Sequence, residues 1–315
     1  MATAPLRILF AGSGEFGLPT LKALRTAGHA IVQVVSQPDR PAGRGRGLTP
    51  TPIAQFALES NLPLLRTENI NRETLPESDV IVVIAFGQKI SDAVVQRPRL
   101  GSINLHASRL PKYRGAAPIN WAILGGETVT GNSVIRLAQR MDAGAVLGQS
   151  ELAIGELETA GELHDRLAED GARLVPQVLD ALASGAAREV AQDESRATQA
   201  PKLSRESAAL EWDRPADEIA RRVRGLHPWP GCRVAVCDAE GTELDRLRLV
   251  RARPSGEDEG SRWSPGEVMT SGFVRAGTGA VEIVECQPEG KRPMALADYR
   301  RGHRWHAGLR LKSIL

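Results

Sequence analysis

Apolar residues in the first half of the chain fall into short unbroken runs separated by stretches with helical spacing. Leu6 to Ala11 is apolar without period-two alternation, the pattern of a parallel strand covered on both faces. Leu18, Leu21 and Leu24 then repeat at helical spacing, and Gly28 stops that helix after about Ala27. Ile31 to Ser36, Asp79 to Ala85 and Gly101 to Leu105 read as further strands, with helical stretches near 52–60, 89–95 and 118–124. This alternation predicts an α/β fold built on a doubly wound parallel sheet.

The pattern changes in the second half. Thr159 with Glu162 three residues later is a capping-box signature, opening a helix whose apolar face is Leu163, Leu167, Leu174, Val178 and Leu182. Pro176 is expected to kink that helix or split it. From about Ser184 to Ser204 the chain is polar and weakly periodic, which predicts a linker. A short helix at 215–224 follows, then strand-like pieces at 232–238, 244–252, 266–270, 272–276 and 280–285, broken by Gly, Pro and Asp. Short strands at such spacing predict a small barrel.

At 315 residues and 42% hydrophobic content the chain has material for real cores. No leader-like apolar segment and no run of about 18 apolar residues occurs, so a soluble cytoplasmic protein with no membrane partner is expected. Three cysteines without CxxC spacing suggest buried reduced thiols, with neither a disulfide framework nor a metal site. The net charge is only +2, but the second half is mildly basic and its cations are mostly arginine, which permits a polyanionic partner.

Four local patterns carry chemistry. Residues 12–17, Gly-Ser-Gly-Glu-Phe-Gly, match the dinucleotide fingerprint after a strand, yet Ser36-Gln37-Pro38 stands where the ribose-binding acid belongs. A tight turn explains the glycines equally well. Arg40, Arg44 and Arg46 interleave with Pro and Gly in the loop after the second strand, at the sheet edge where such folds bind ligands; they are candidate phosphate contacts, or a solvated loop. Asn104 and His106 lie two apart at the end of a strand, so both side chains leave on one face, where an amide and an imidazole can donate to a developing oxyanion. Asp142, followed by Ala143 and Gly144, suits a carboxylate that orients His106 or handles a proton.

Asn104-Leu105-His106, Ser108-Arg109-Leu110-Pro111, Arg114-Gly115-Ala116-Ala117-Pro118 and Asp142 together resemble the 10-formyltetrahydrofolate-dependent formyltransferases. The resemblance extends through the Gln37–Gly45 loop, Ala85-Phe86-Gly87, Lys202-Leu203-Ser204 and His227-Pro228-Trp229-Pro230-Gly231. It implies a Rossmann-type formyltransferase domain (1–188), a linker (189–207) and an OB-like C-terminal barrel that binds tRNA (208–315). It also implies a catalytic set of Asn104, His106 and Asp142, and a folate site over Ser108, Arg109, Leu110 and Pro111, lined further by Phe86, Gly87 and Ile90. Arg109 departs from the leucine usual there; it either alters folate contacts or points outward. Among acceptors, the extra C-terminal region and the arginines at 40, 44 and 46 favour methionyl-initiator tRNA, bound by a monomer without metal. A nucleotide-linked amino sugar is the alternative acceptor, and a nucleic-acid-binding protein with an inactive α/β half is another reading. Trp229 and Trp305 are candidates for stacking or for core packing.

Overall fold

The computed structural model describes residues 4–42, 47–257, 260 and 262–315. Contacts divide the chain into two compact units. One comprises Met1–Gly115, Gly131–Leu152 and His164–Gln199; the other comprises Ala116–Thr130, Ala153–Leu163 and Ala200–Leu315. The segments 116–130 and 153–163 therefore group with the C-terminal part of the chain, which no single cut in the linker would give. Packing is the reason: helix Pro118–Leu124 lies against helix Ala216–Gly225, where the missing side chain of Gly225 leaves room for Ile123 and Leu124.

In the first unit, β1 (Arg7–Gly12), β2 (Ala30–Ser36), β3 (Leu64–Arg66), β4 (Val80–Ile84), β5 (Ser102–His106), β6 (Ser133–Arg136) and β7 (Val146–Gln149) form one sheet in the order β7-β6-β5-β4-β1-β2-β3. The five strands from β5 to β3 pair in parallel; the alternating pattern predicts four of them, and the short β3 adds a fifth at the edge. The last two, which the hydrophobic pattern did not reveal, run antiparallel and extend the sheet beyond β5. All five residues of β4 are buried, which accounts for its continuous apolar run.

The glycines of 12–17 serve packing. A Cβ on Gly12 would stand 2.8 Å from the Phe10 ring and 2.9 Å from the Ile84 carbonyl, so the turn closes directly on the end of β4. Ser36, at the position a ribose-binding acid would take, is fully buried and bonded to Thr51 Oγ1 at 2.6 Å. The tight-turn reading therefore accounts for this segment.

One helix runs from Ala160 to Ser184, with Pro176 inside it. The expected split does not occur. A proline in a helix interior costs about 3 kcal/mol, but Leu174, Val175, Val178 and Leu179 are buried on both sides of it, each contributing about 1.5–3 kcal/mol. At its start Thr159 and Glu162 form the reciprocal cap: the Glu162 carboxylate accepts from Thr159 N–H at 3.0 Å.

In the second unit, β8 (Arg233–Cys237), β9 (Glu243–Ser255), β10 (Val274–Arg275), β11 (Ala280–Pro288), β12 (Met294–Ala295) and β13 (Arg310–Ile314) pair antiparallel in the order β10-β11-β9-β8-β13, with β12 on β11. Bridges Glu267–Arg310 and Val268–Val274 join the two edges, so the sheet closes on itself as a small barrel. Leu247, Leu249, Val281, Ile283 and Leu311 fill it together with Ile219 and Val223 of the 216–225 helix. Cys232, Cys237 and Cys286 are free and buried, as the sequence suggests. Trp305 is core, donating to the Gly272 carbonyl at 2.9 Å, whereas Trp229 is 53% exposed.

Candidate active site

Strand β5 decides where the candidate groups point. Leu105 faces the long helix, its Cδ2 lying 2.4 Å from where a Gly171 Cβ would be, so only glycine allows that approach. Asn104 and His106 therefore leave on the opposite face. Asn104 is in register with Val83 of β4, which belongs to an apolar cluster with Leu9, Ala11, Val35, Ile81 and Phe86. Asn104 is half-buried, and its amide makes no hydrogen bond within the chain among the described residues.

His106 is 6% exposed and its two nitrogens have different surroundings. Nε2 lies 2.8 Å from the Tyr113 carbonyl oxygen, to which it donates, and Nδ1 lies 3.6 Å from Asp142 Oδ2. The first is a hydrogen bond; the second leaves a gap slightly too wide for one. The same Asp142 oxygen accepts the Gly115 N–H at 2.8 Å. The structure thus brings His106 and Asp142 together at the end of β5, with Asn104 two residues earlier on the same strand.

Two backbone conformations rare for L residues shape this corner: Tyr113 at φ 62° and Asp142 at φ 54°. Aspartate tolerates that region, while for tyrosine it costs on the order of 1–3 kcal/mol. Neighbouring bonds hold it. Tyr113 N–H donates to Thr198 Oγ1 at 2.9 Å and Arg114 N–H to the Thr198 carbonyl at 2.9 Å. Gly144, two residues after Asp142, has its Cα so close to β6 that a Cβ would fall 1.8 Å from the Arg136 carbonyl oxygen.

Residues that sequence reasoning passed over hold the aspartate in place. Gln192 Nε2 donates to the carbonyls of Asp142 (2.7 Å) and Gly144 (2.8 Å), while its Oε1 accepts from Arg114 Nε (3.1 Å) and Nη2 (2.8 Å). Arg114, with its side chain 3% exposed, also forks onto Glu194 at 3.0 and 2.8 Å. Glu194 binds Arg140 as well, at 3.0 Å, and these arginines hold its carboxyl down at about 2. Arg114 was legible as part of a motif. Gln192 and Glu194 sat in the stretch read as linker, where no periodicity marks a contact.

The segment expected to carry the folate is tightly ordered by its own bonds. Ser108 is fully buried and its hydroxyl donates to the Lys112 carbonyl at 2.6 Å. Ser133 Oγ donates to the Ser108 carbonyl (2.6 Å) and accepts from Leu110 N–H (3.0 Å), and Gln149 Nε2 donates to the Leu110 carbonyl (2.8 Å). Leu110 is buried, Pro111 half-buried, and Arg109 turns outward to Glu151 at 2.8 Å. Of the other lining candidates, Phe86 points its ring into the core, 2% exposed, with Ile90 packed against the same cluster. Gly87 is exposed at φ 74°, and the carbonyl of the preceding Phe86 accepts from Gln37 Nε2 at 2.8 Å. Arg40 is exposed and donates to Gln37 Oε1 at 2.9 Å; Arg44 and Arg46 lie outside the described residues. Among the described residues no group of three or more His, Cys, Asp or Glu side chains is arranged to hold a metal, and no helix is long and apolar enough to cross a membrane.

Comparison with known proteins finds matches over nearly the whole chain. The formyl transferase family model matches residues 6–179, and the formyl transferase C-terminal domain model matches residues 202–304. A methionyl-tRNA formyltransferase of Methylococcus capsulatus is 42% identical over 307 residues, covering 95% of this chain and 97% of that protein. One from Moorella thermoacetica is 41% identical over 308 residues, covering 95% and 96%. Among solved structures, the sugar 3N-formyl transferase WlaRD, determined in the presence of dTDP and 5-N-formyl-THF, superposes with a TM-score of 0.65 at 15% identity, covering 92% of this chain and all of that one. That last likeness is one of fold. The chain belongs to the formyl transferase family, in the branch of the methionyl-tRNA formyltransferases.

Proposed function

We propose that this protein moves a formyl group from 10-formyltetrahydrofolate to the free amino group of methionyl-initiator tRNA, the step that prepares it for translation initiation. The observation that carries the reading is Nδ1 of His106 facing Asp142 Oδ2 across 3.6 Å at the end of β5, with Asn104 two residues earlier on the same strand. Identities of 41–42% to methionyl-tRNA formyltransferases over 95% of the chain support the choice of acceptor.

The chemistry follows from the placement. Attack of the neutral amine on the formyl carbon forms a C–N bond and puts negative charge on the formyl oxygen. The unengaged amide of Asn104 donates to that oxygen. His106, anchored through Nε2 to the Tyr113 carbonyl, presents Nδ1 to the same gap and donates there when protonated. The ammonium formed by attack loses its proton to Asp142, directly or through water, and collapse of the intermediate breaks the bond to the folate N10, which takes up a proton. Each such donor is typically worth about 2.7–4 kcal/mol at the transition state.

Folate seating falls to the loop of Ser108, Arg109, Leu110 and Pro111 with Gly87 beside it. Since the side chains of Ser108, Leu110 and Phe86 are buried, the contacts come mainly from backbone atoms and from Pro111. Arg40, Arg44 and Arg46 meet tRNA phosphates. The protein works as a cytoplasmic monomer and uses no metal.

The deciding experiment mixes purified protein and 10-formyltetrahydrofolate with methionyl-initiator tRNA or with a nucleotide-linked amino sugar. Consumption with the tRNA alone is expected. Turnover with the sugar nucleotide alone would overturn the acceptor assignment, and turnover with neither would overturn the activity.

A further inference from the structure

The outer face of the barrel carries an arrangement of charge that the fold itself does not need. β8 and β9 are antiparallel, and Arg233 stands directly opposite Arg248. Ala235 and Arg246 form the next pair on that face, with Lys312 of β13 opposite Ala235. Val234, Val236, Leu247 and Leu249, at the alternate positions, point into the core. Like charges directly opposite on neighbouring strands are destabilising, and three other arginines of this barrel have an acid beside them: Arg246 has Glu243 at 2.6 Å, Arg251 has Glu285 at 2.7 Å and Arg253 has Glu282 at 2.6 Å. Arg233 and Arg248 make no ion pair among the described residues.

Their surroundings favour a ligand. The two arginines line a cavity of about 220 Å³ together with Gln287 and Pro288. Arg246 and Glu289 line it too, Arg246 being paired with Glu243. Arg248 Nε lies 3.1 Å from where a Gly231 Cβ would be, so its stem runs along the turn that carries the exposed Trp229. Partial burial and the charge of Arg233 both push the Arg248 guanidinium below its usual pKa, the strain expected of a cation awaiting an anion. Two guanidiniums directly opposite one another on neighbouring strands suit a single phosphate.

We propose that Arg233 and Arg248 together grip one backbone phosphate of the acceptor RNA. This rests on the tRNA-acceptor reading and adds a contact point on the barrel. The test uses the full chain, deacylated initiator tRNA and salt between about 50 and 200 mM. Losing one neutralised phosphate should flatten the slope of log affinity against log salt by about one, so the wild-type advantage over Arg233→Gln/Arg248→Gln should be about three- to fourfold larger at the lower salt. The melting temperature of that variant should equal or exceed wild type, because a like-charge pair has been removed. Arg233→Lys/Arg248→Lys should keep the wild-type slope, since lysine still binds phosphate as a point charge. Equal slopes for all three proteins, or lysine behaving as glutamine, would overturn the proposal. So would loss of a thermal shift by inorganic phosphate with tRNA affinity intact, which would mark a free-phosphate site. Failure of the wild type to formylate methionyl-tRNA would instead remove the functional reading, a separate result.

Discussion

Gln192 offers the sharpest test of how the catalytic corner is held. Gln192→Glu keeps the size of the side chain and its bonds to Arg114, but replaces the N–H donor with an oxygen facing the carbonyls of Asp142 and Gly144. Two neutral hydrogen bonds at about 1 kcal/mol each are lost, and acceptor–acceptor repulsion adds to that. Because Gln192 is half-buried, water recovers part of the loss, so stability should fall by about 1–2 kcal/mol. The larger effect is on rate. Asp142 sits in a left-handed conformation with its Oδ2 3.6 Å from His106, and a displacement of about 1 Å at a catalytic group can cost on the order of 10²-fold. Steady-state formyl transfer should show kcat lowered by about 10–100-fold with KM for the folate nearly constant, and Gln192→Ala should fall between. A Gln192→Glu enzyme with wild-type kcat and only a lowered melting temperature would mean that the network supports the fold and not the geometry of Asp142.

Asn104→Ala and His106→Ala should each fold normally and lose about 10²–10³-fold in turnover, read by single-turnover formylation; near-wild-type rates in both would refute their role. Arg109→Ala should change folate affinity less than twofold and stability by no more than about 0.5 kcal/mol, since its partner Glu151 is exposed with it; a large rise in KM for the folate would place Arg109 in the site after all. Glu162 is held at about 2 from an ordinary 4.5, mainly by its bonds to Arg251. A depressed carboxyl stabilises the fold fully above its unfolded value and less as pH falls, so part of the acid sensitivity between about pH 4.5 and 2 is assigned to it, and Glu162→Gln should unfold with a shallower pH dependence in that window by circular dichroism.

Much of the α/β unit was legible because burial on both faces writes itself as unbroken apolar runs. β1, β2, β4 and β5 were all visible in this way, and so was the shared face of Asn104 and His106, which needs only the period of a strand. β3, β6 and β7 were not: each is only three or four residues long, too short for a period to show. The partners of Arg114 were invisible for a different reason. Gln192 and Glu194 lie 78 and 80 positions away in a polar stretch whose composition matches any linker, and hydrogen bonds leave no periodic trace.

The sequence by itself settled which residue types could do acyl chemistry, that they lie on parallel-sheet strands and turns, and that a barrel follows. Only tertiary structure decided that Pro176 sits within an unbroken helix, that Phe86 belongs to the core, that Arg109 faces solvent, and that Tyr113 and Gln192 fix the orientation of His106 and Asp142. The division has a physical cause. Local periodicity depends on near neighbours in the chain, whereas the aim of a side chain depends on the distant groups that satisfy its hydrogen bonds and fill the space around it.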